Sequence, residues 1–349
     1  MLTIRRVEYS EFDTFSLDHP KGNFHQTSRM GVFREAMGWD VHPLFIVKND
    51  KTVGAMILAG KAGRYEVTMG PLFDFETYSA KSLLTALKNY AKQIQATTME
   101  IYPYELYQKR TSAGEPEGTA SRKVINDFTN NGWRHKGFTT DYDVVANRWL
   151  FVKDLAGLKN EEELLASYRQ TTRQTIKKLH SEDYSIKKMK YDDLRVVKKL
   201  VDSSYEKNHV AIRPIEYYQR LFKSFGDSIE FLVVYHKNKT PISTGVFIYH
   251  PNETLYFMSG ADTNYRHLYG GHFLQQYVMS KAIEAGVTRY NFYGVSGHFT
   301  NNPLLVYKSG FRGYIEEYVG GFIKTINPTK ALVGKARQIA GKVQRKIKV

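Results

Sequence analysis

Residues 53–75 read VGAMILAGKAGRYEVTMGPLFDF, and residues 243–265 read STGVFIYHPNETLYFMSGADTNY. In both stretches a strand of small apolar residues leads through a polar turn into an aromatic strand that ends in a glycine, Gly70 or Gly260. A pattern that occurs twice at this length indicates a duplicated domain. We therefore expect two similar halves with a ligand cleft between them or along them.

A helical stretch and a short strand follow each repeat, with the strands at residues 99–103 (MEIYP) and 290–294 (YNFYG). Strand, helix and strand alternate with an extra meander in each half. This order is typical of an α/β or α+β fold with mixed sheets, and it does not fit a long parallel barrel. The length of 349 residues agrees with two domains.

Apolar spacing and turn residues predict further elements. Helices are predicted at residues 28–37, 78–95, 192–207, 214–225 and 270–285, strands at 42–47 and 228–235, and a polar loop at 104–123.

The chain contains no cysteine, which excludes thiolate chemistry, disulfides and thiolate-bound zinc. Its histidines form no HExxH motif or other tight cluster, so no metal is expected. The first residues, MLTIRRVEYSEFDTF, lack the apolar run of a signal peptide. No stretch reaches the roughly 18 apolar residues of a membrane span. We expect a cytoplasmic protein.

The net charge of +15 indicates a polyanionic partner, which would be nucleic acid, an anionic membrane or a phosphate-bearing substrate. Arg169, Arg173 and Lys177 are four residues apart and would form one stripe on a helix, suited to phosphate or RNA contacts. Residues 327–349 predict a basic amphipathic helix, suited to an anionic lipid surface or to RNA. The alternatives are a solvated helix face for the stripe and a helix packed on the body for the tail.

Residues 289–312, RYNFYGVSGHFTNNPLLVYKSGFR, form the segment that could carry chemistry. A strand ends at Gly294, and a polar loop then leads to Tyr307 and Lys308. A partly desolvated lysine at such a place can stabilise a developing anion, whereas an ordinary surface lysine is the alternative. The sequence contains no Walker loop, no GxGxxG and no GxSxG motif.

Two other functions stay open from the residues alone. Arg266-His-Leu-Tyr-Gly270-Gly271 partly resembles the loop with which coenzyme-A acyltransferases bind a pyrophosphate, which allows a CoA-dependent N-acyltransferase. A non-catalytic RNA-binding protein would also explain the charge.

The block YNFYGVSGHFT at 290–300, with VYKSGF at 306–311 and EEYVGGFIKTINP at 316–328, closely resembles the C-terminal part of the FemABX family. The N-terminal stretch HQTSRMGVFREAMGW at 25–39 also resembles this family. Its members are aminoacyl-tRNA-dependent transferases that build peptidoglycan interpeptide bridges.

The resemblance implies two tandem GNAT-like domains, which resemble acyl-CoA N-acyltransferases, in the compact form without a coiled-coil arm. Residues 1–147 with 316–349 would form the first domain, to which the C-terminal strand and basic helix return. Residues 148–315 would form the second.

The resemblance also implies roles for individual residues. Arg34 and Arg213 stand where the family contacts the phosphates of the precursor, with Tyr217 beside Arg213. Tyr256 matches a tyrosine of the precursor channel. Lys308 matches the lysine linked to aminoacyl-tRNA use and catalysis, and Tyr307 stands beside it where an aromatic residue is usual, so the resemblance implies that both are catalytic residues.

One position departs from the family pattern. Some members have an aspartate, once considered a base, where this chain has Tyr102, so a carboxylate base at that position is in doubt.

The implied reaction transfers an amino acid, with alanine, serine or glycine as the usual choices, from aminoacyl-tRNA to the side-chain amine of the third stem-peptide residue. The acceptor would be lipid II or UDP-MurNAc-pentapeptide. No cofactor is expected. We expect a monomer, with possible contact to the inner face of the plasma membrane through the basic tail.

Overall fold

The structure is a computed structural model that describes residues 1–142, 145–179, 184–208, 210–237 and 239–330. Most of the predicted basic helix at 327–349 lies outside the described residues.

Helices form in all five ranges for which apolar spacing predicted them, and further helices form at Tyr9–Ser16, Lys123–Asn130 and Pro303–Gly310, where none was predicted. The helices are α1 (Tyr9–Ser16), α2 (Ser28–Ala36), α3 (Ala80–Gln93), α4 (Lys123–Asn130), α5 (Glu161–Ala166), α6 (Gln170–Leu179), α7 (Leu194–Lys207), α8 (Ile215–Phe225), α9 (Gly270–Glu284) and α10 (Pro303–Gly310). In α3, for example, Leu83, Leu87 and Ala91 are buried at helical spacing and pack on the first sheet.

The strands of the first half are β1 (Thr3–Arg6), β2 (Asp40–Lys48), β3 (Lys51–Lys61), β4 (Arg64–Thr68), β5 (Leu72–Phe73), β6 (Thr98–Tyr102), β7 (Leu106–Thr111), β8 (Pro116–Glu117) and β9 (Arg134–His135). Those that follow are β10 (Trp149–Asp154), β11 (Tyr184–Lys188), β12 (Ile229–His236), β13 (Thr240–His250), β14 (Glu253–Ala261), β15 (Arg289–Gly294), β16 (Tyr314–Tyr318) and β17 (Phe322–Thr325).

Two mixed sheets carry the repeat seen in the sequence. The first has the order β1-β2-β3-β4-β6-β17-β9, with β5 on β3, and the second has the order β11-β12-β13-β14-β15-β10-β16-β7-β8. In the first sheet β3 and β4 form a meander, α3 crosses over, and β6 returns parallel to β4. In the second sheet β13, β14, α9 and β15 repeat this arrangement. The predicted fold of two tandem mixed-sheet halves is therefore confirmed.

The two repeat glycines lie where another element passes close to the strand end. A Cβ atom on Gly70 would stand 2.7 Å from the side chain of Gln26, and one on Gly260 would overlap the main chain of Leu200. Any larger side chain would push these neighbouring segments away.

The predicted loop at 104–123 is wrong, because β7 and β8 extend the edge of the second sheet by pairing β7 with β16. The sequence of β7, LYQKRT, consists of residues that are at least partly exposed, so it has no apolar alternation to reveal a strand. The domain division at 1–147 with 316–349 and 148–315 stays a prediction. β7, β8 and residues 316–318 of β16 fall in the first predicted domain but lie in the second sheet. β17 falls in the first predicted domain and lies in the first sheet.

The halves meet where α2 of the first half packs against α8 of the second. The rings of Phe33 and Tyr217 make an edge-to-face contact at 5.4 Å. A second contact between the halves involves Asn252, which follows β13. Its side-chain amide donates to the carbonyl oxygens of His19 at 2.9 Å and Gly22 at 3.0 Å in the first half. These contacts bring the α2 side chains and the α8 side chains to one place.

Candidate active site

Arg34, near the end of α2, is held by two groups of the adjoining strand β4. Its Nη2 donates to Thr68 Oγ1 at 2.8 Å and lies 3.2 Å from Glu66 Oε1, and its guanidinium covers the ring of Trp39. Burial lowers the pKa of Arg34, and burial likewise raises the pKa of Glu66 against the opposing effect of Arg34. The ion pair is thus partly desolvated, which strengthens its interaction with any further charge.

Arg213 and Tyr217 approach from the second half. The guanidinium of Arg213 lies over the ring of Tyr217, 5.4 Å from its centroid, and Arg213 is exposed. Tyr217 in turn contacts Phe33 of α2, which is the neighbour of Arg34 in the chain. Of the two predicted phosphate-binding arginines, Arg34 therefore belongs to α2 and Arg213 lies just before the start of α8, at the two helices that join the halves.

Lys308, on α10, is a buried lysine with its ammonium group enclosed by main-chain oxygens. It is 4% exposed and donates to the carbonyl oxygens of Phe292 at 2.7 Å, Gly294 at 2.7 Å and Tyr293 at 3.3 Å. Burial lowers the pKa of Lys308 to about 7. The prediction of a desolvated lysine agrees with this geometry, and its hydrogen bonds hold the chain turn at the end of β15.

The first turn of α10 is fixed by its cap. Asn302 accepts from the main-chain N–H groups of Leu304 and Leu305, both at 3.1 Å, and its own amide donates to Ser296 Oγ at 2.9 Å. This cap ties the start of α10 to the loop that follows β15 and so sets the position of Lys308.

Tyr293 joins these parts, and the sequence assigned it no role. Its carbonyl oxygen accepts from Lys308, while its ring packs against Phe24 at 5.9 Å. Its hydroxyl interacts electrostatically with Arg34 and Tyr217. The site thus contains Arg34, Tyr217 and Lys308 around one tyrosine, with Arg213 on the ring of Tyr217. The only signal in the sequence is the position of Tyr293 beside a glycine at a strand end.

Tyr256 and Tyr307 belong to a different cluster within the second half. Tyr256 stacks on Phe247 at 5.2 Å, and Tyr307 packs edge-to-face on His272 at 5.0 Å. Both tyrosines interact with Gln275 of α9. Their described contacts lie between the sheet and α9 and do not include Arg34.

The double glycine that suggested CoA binding has a packing role in this fold. A Cβ atom on Gly270 would lie 2.9 Å from the side chain of Ile242, and one on Gly271 would lie 3.2 Å from the Tyr307 hydroxyl. The close approach of α9 to β13 and α10 therefore accounts for both glycines without a bound pyrophosphate.

The predicted basic stripe lies next to α10. The main-chain N–H of Arg169 donates to the carbonyl oxygen of Gly310 at 3.0 Å, and α6 begins one residue later. Arg169 and Lys177 are exposed, whereas Arg173 is partly buried. The stripe and the helix that carries Lys308 are thus directly connected.

At the position where some FemABX members have an aspartate, Tyr102 donates to Glu100 Oε2 at 2.8 Å and is buried. Within the described residues, no group of three or more histidine, aspartate or glutamate residues could hold a metal ion. No helix in the described ranges is long and apolar enough to cross a membrane.

Solved structures with the same fold define the class of this protein. FemX has a TM-score of 0.76 at 16% identity and covers 95% of this chain and 99% of its own. A tandem GNAT protein from the clavulanic acid biosynthesis pathway has a TM-score of 0.56 at 12% identity and covers 94% and 99%. The fold is that of the tandem GNAT-like proteins.

The model of the FemAB family matches residues 7–239 and 234–338, and the chain belongs to the FemAB family. Aminoacyltransferase FemA of Staphylococcus aureus (strain bovine RF122 / ET3-1) is 24% identical over 91% of this chain and 94% of its own length. FemA of Staphylococcus epidermidis (strain ATCC 35984) has the same identity and coverage. The chain is an aminoacyltransferase, and the relatives support a general role in forming peptidoglycan interpeptide bridges.

Proposed function

We propose that this enzyme transfers alanine, serine or glycine from aminoacyl-tRNA to the side-chain amine of the third stem-peptide residue of a peptidoglycan precursor. The precursor is lipid II or UDP-MurNAc-pentapeptide. The observation that carries the proposal is the convergence of Arg34, Tyr217 and Lys308 on Tyr293 at the junction of the two halves.

The two arginines bind the diphosphate of the precursor. Arg34 is fixed by Glu66 and Thr68, while Arg213 is exposed in the segment just before the opposite helix, α8. Guanidinium groups form paired hydrogen bonds with phosphate oxygens, so one arginine from each half can hold one diphosphate. Binding the precursor then also links the two halves.

The transfer step uses an ester that is already activated. The neutral amine attacks the ester carbonyl, a tetrahedral oxyanion forms, the amine loses its proton, and the tRNA hydroxyl leaves with a proton. Holding the amine and the ester together supplies much of the acceleration. Lys308 adds positive charge and orders the turn at the end of β15, where its three hydrogen bonds lie.

The tRNA approaches along the basic stripe. Arg169, Arg173 and Lys177 lead to Gly310 and so to α10, which carries Lys308. Contacts to the tRNA backbone there would place the aminoacyl end near the lysine without reading sequence. No cofactor takes part. Tyr307 acts beside Lys308, its neighbour in the chain, and Tyr256 contributes to precursor binding from the adjoining cluster in the second half. The enzyme acts as a monomer in the cytoplasm, at the inner membrane face when the precursor is lipid-linked.

The test is incubation of the purified enzyme with a mixed pool of charged tRNAs and each precursor separately, read by the mass of the product. The expected result is a precursor heavier by one alanyl, seryl or glycyl residue, dependent on tRNA. A product formed with acetyl-CoA but not with charged tRNA would contradict the proposal.

A further inference from the structure

Asn291 is buried, and both polar atoms of its side-chain amide form hydrogen bonds. It is 2% exposed in β15, its Oδ1 accepts from the main-chain N–H of Tyr293 at 2.8 Å, and its Nδ2 donates to Glu253 Oε2 at 3.0 Å. An amide that accepts at one end and donates at the other has only one orientation that satisfies both bonds. Asn291 therefore connects the chain at Tyr293 to a buried carboxylate.

That carboxylate is anchored in turn by a network of ion pairs. Glu253 of β14 also accepts from Arg289 Nε at 2.9 Å, and Arg289 pairs with both oxygens of Glu316 at 2.7 Å each. Glu253 is 3% exposed, and the network spans β14, β15 and β16. A two-pronged arginine–carboxylate contact is geometrically specific, so the network is a rigid support for Asn291.

Tyr293, which this support reaches, has an unusual main-chain conformation. Its φ angle is 63°, in the left-handed region that bulky residues rarely adopt. Asn291 holds its N–H, and Lys308 holds its carbonyl and those of Phe292 and Gly294. Such conformations persist only where the surroundings fix them, and they are concentrated at functional sites.

The conformation determines where the side chain goes. The ring lies against Phe24 at 5.9 Å and Phe257 at 5.7 Å. The hydroxyl forms a hydrogen bond with the side chain of Asn147 and interacts electrostatically with Arg34 and Tyr217. Burial raises the pKa of Tyr293 above its usual value, so its hydroxyl stays protonated and can donate a hydrogen bond. A protonated hydroxyl close to a guanidinium group can donate a hydrogen bond to an anionic oxygen that the guanidinium binds.

We propose that Tyr293 is a substrate-binding residue whose hydroxyl donates to the anionic group held by Arg34, and that Asn291 is the positioning residue that keeps it there. This inference rests on the proposed function, in which that anion is the diphosphate of the precursor. The Glu253–Arg289–Glu316 network acts only through Asn291.

The test compares Tyr293→Phe with Asn291→Asp, Glu253→Gln and the double variant Asn291→Asp/Glu253→Gln. Tyr293→Phe should raise KM for the precursor about tenfold, the usual effect of one lost bond to a charged group, while KM for aminoacyl-tRNA stays unchanged. Asn291→Asp sets two carboxylates against each other and should raise the precursor KM as well. Glu253 Oε2 accepts from both Asn291 and Arg289, so a glutamine amide that donates to the aspartate in the double variant gives up the bond from Arg289. The precursor KM should therefore return only part of the way toward that of the wild type.

A second measurement separates this inference from the proposed function. Thermal stabilisation by inorganic pyrophosphate is recorded for the wild type, Tyr293→Phe and Arg34→Met. Stabilisation of the wild type that is weaker in both variants supports the inference even if no amino acid is transferred to either precursor. No stabilisation of the wild type, or equal stabilisation of the wild type and Tyr293→Phe, would overturn it.

If Asn291 only stabilises the fold, the expected result for the same variants is different. Asn291→Asp would then lower the melting temperature while KM for the precursor stayed as in the wild type. That result, or an unchanged precursor KM in Tyr293→Phe, would also overturn the inference.

Discussion

The ammonium group of Lys308 lies 2.7 Å from the carbonyl oxygen of Gly294, in the turn that ends β15. With the bonds to Phe292 and Tyr293, this lysine uses its positive charge to hold three consecutive carbonyl groups. The catalytic role proposed for Lys308 therefore includes the shape of the turn as well as the charge near the reacting ester.

Replacing Lys308 by methionine tests this contribution, because methionine fills similar space without charge. We expect kcat to fall about 100-fold, as for the loss of a preorganised electrostatic group. Stability should fall by about 1–3 kcal/mol, because buried carbonyl groups lose their donor. Steady-state kinetics and urea unfolding measure the two effects, with Lys281→Met as the control on a more exposed lysine of α9. Near wild-type turnover would show that the assigned role is wrong.

The buried charge of Lys308 should also make stability depend on pH. Burial lowers its pKa from 10.5 in the unfolded chain to about 7 in the folded protein. Between these values the unfolded chain holds a proton that the folded protein releases, so the wild type should gain stability relative to Lys308→Met as the pH rises from 7 toward 10. The gain should disappear as the pH falls through 7. Urea unfolding of both proteins across this range gives the difference, and a difference that does not change with pH would contradict the lowered pKa.

Arg213 should matter for the precursor and not for tRNA. Arg213→Ala removes one of the two guanidinium groups at the helix pair, and we expect KM for the precursor to rise at least tenfold, since hydrogen bonds to charged groups contribute about 1.5–3 kcal/mol. Arg220→Ala is the control, because Arg220 is an exposed arginine within α8 itself. Equal losses of precursor and tRNA affinity in Arg213→Ala would place this arginine elsewhere in the mechanism.

The Arg34–Glu66 ion pair allows a test of how an unpaired buried carboxylate affects the free energy of unfolding. Arg34→Met leaves the carboxylate of Glu66 without its partner, and we expect a loss of about 1–3 kcal/mol in the free energy of unfolding at pH 7. Burial already raises the pKa of Glu66, and removing Arg34 raises it further. The carboxylate should therefore take up a proton as the pH falls toward 5, which restores part of the lost stability.

Thermal unfolding at pH 7 and pH 5 measures this recovery. The double variant Arg34→Met/Glu66→Gln is the control, because it removes the charge and should be less pH-dependent. The same loss at both pH values in the single variant would contradict a buried, unpaired carboxylate.

The basic stripe can be tested through the salt dependence of tRNA binding. Changing Arg169, Arg173 and Lys177 to glutamine should reduce the slope of log K against log salt by about 2–3, because each lost phosphate contact removes roughly 0.7–0.9 from it. The control changes Lys81, Lys88 and Lys92 to glutamine, three exposed lysines on α3. Equal reductions in the two variants would show that overall charge, and not this stripe, attracts the tRNA.

Local patterns allowed much of the fold to be predicted. The paired stretches at 53–75 and 243–265 became the β3–β4 and β13–β14 meanders, and the predicted helices at 192–207 and 214–225 became α7 and α8. Local patterns failed for β7, whose residues are all partly exposed at a sheet edge. An edge strand of this kind is formed by its partner, here β16, and not by its own apolar alternation.

Among the site residues, too, some could be predicted from the sequence and others could not. Lys308 and Arg34 could be selected from the sequence because motifs surround them, but Glu66, Thr68 and Tyr293 could not. Glu66 and Thr68 follow ordinary strand alternation, and only the packing of α2 on the sheet brings them to Arg34. The sequence marks Tyr293 only by its position before a glycine at a strand end, and its role becomes visible only with its φ angle and its neighbours.

The sequence by itself determined the duplicated mixed-sheet fold, the family and the residue types of the site, because apolar periodicity and short motifs are properties of adjacent residues. Only the tertiary structure decided that Tyr293 stands between Arg34 and Lys308, and that Tyr256 and Tyr307 cluster with Gln275 instead. The physical reason is that these contacts join residues far apart in the chain, and the packing of α2 on α8 and the burial of Lys308 under β15 exist only once both halves have folded.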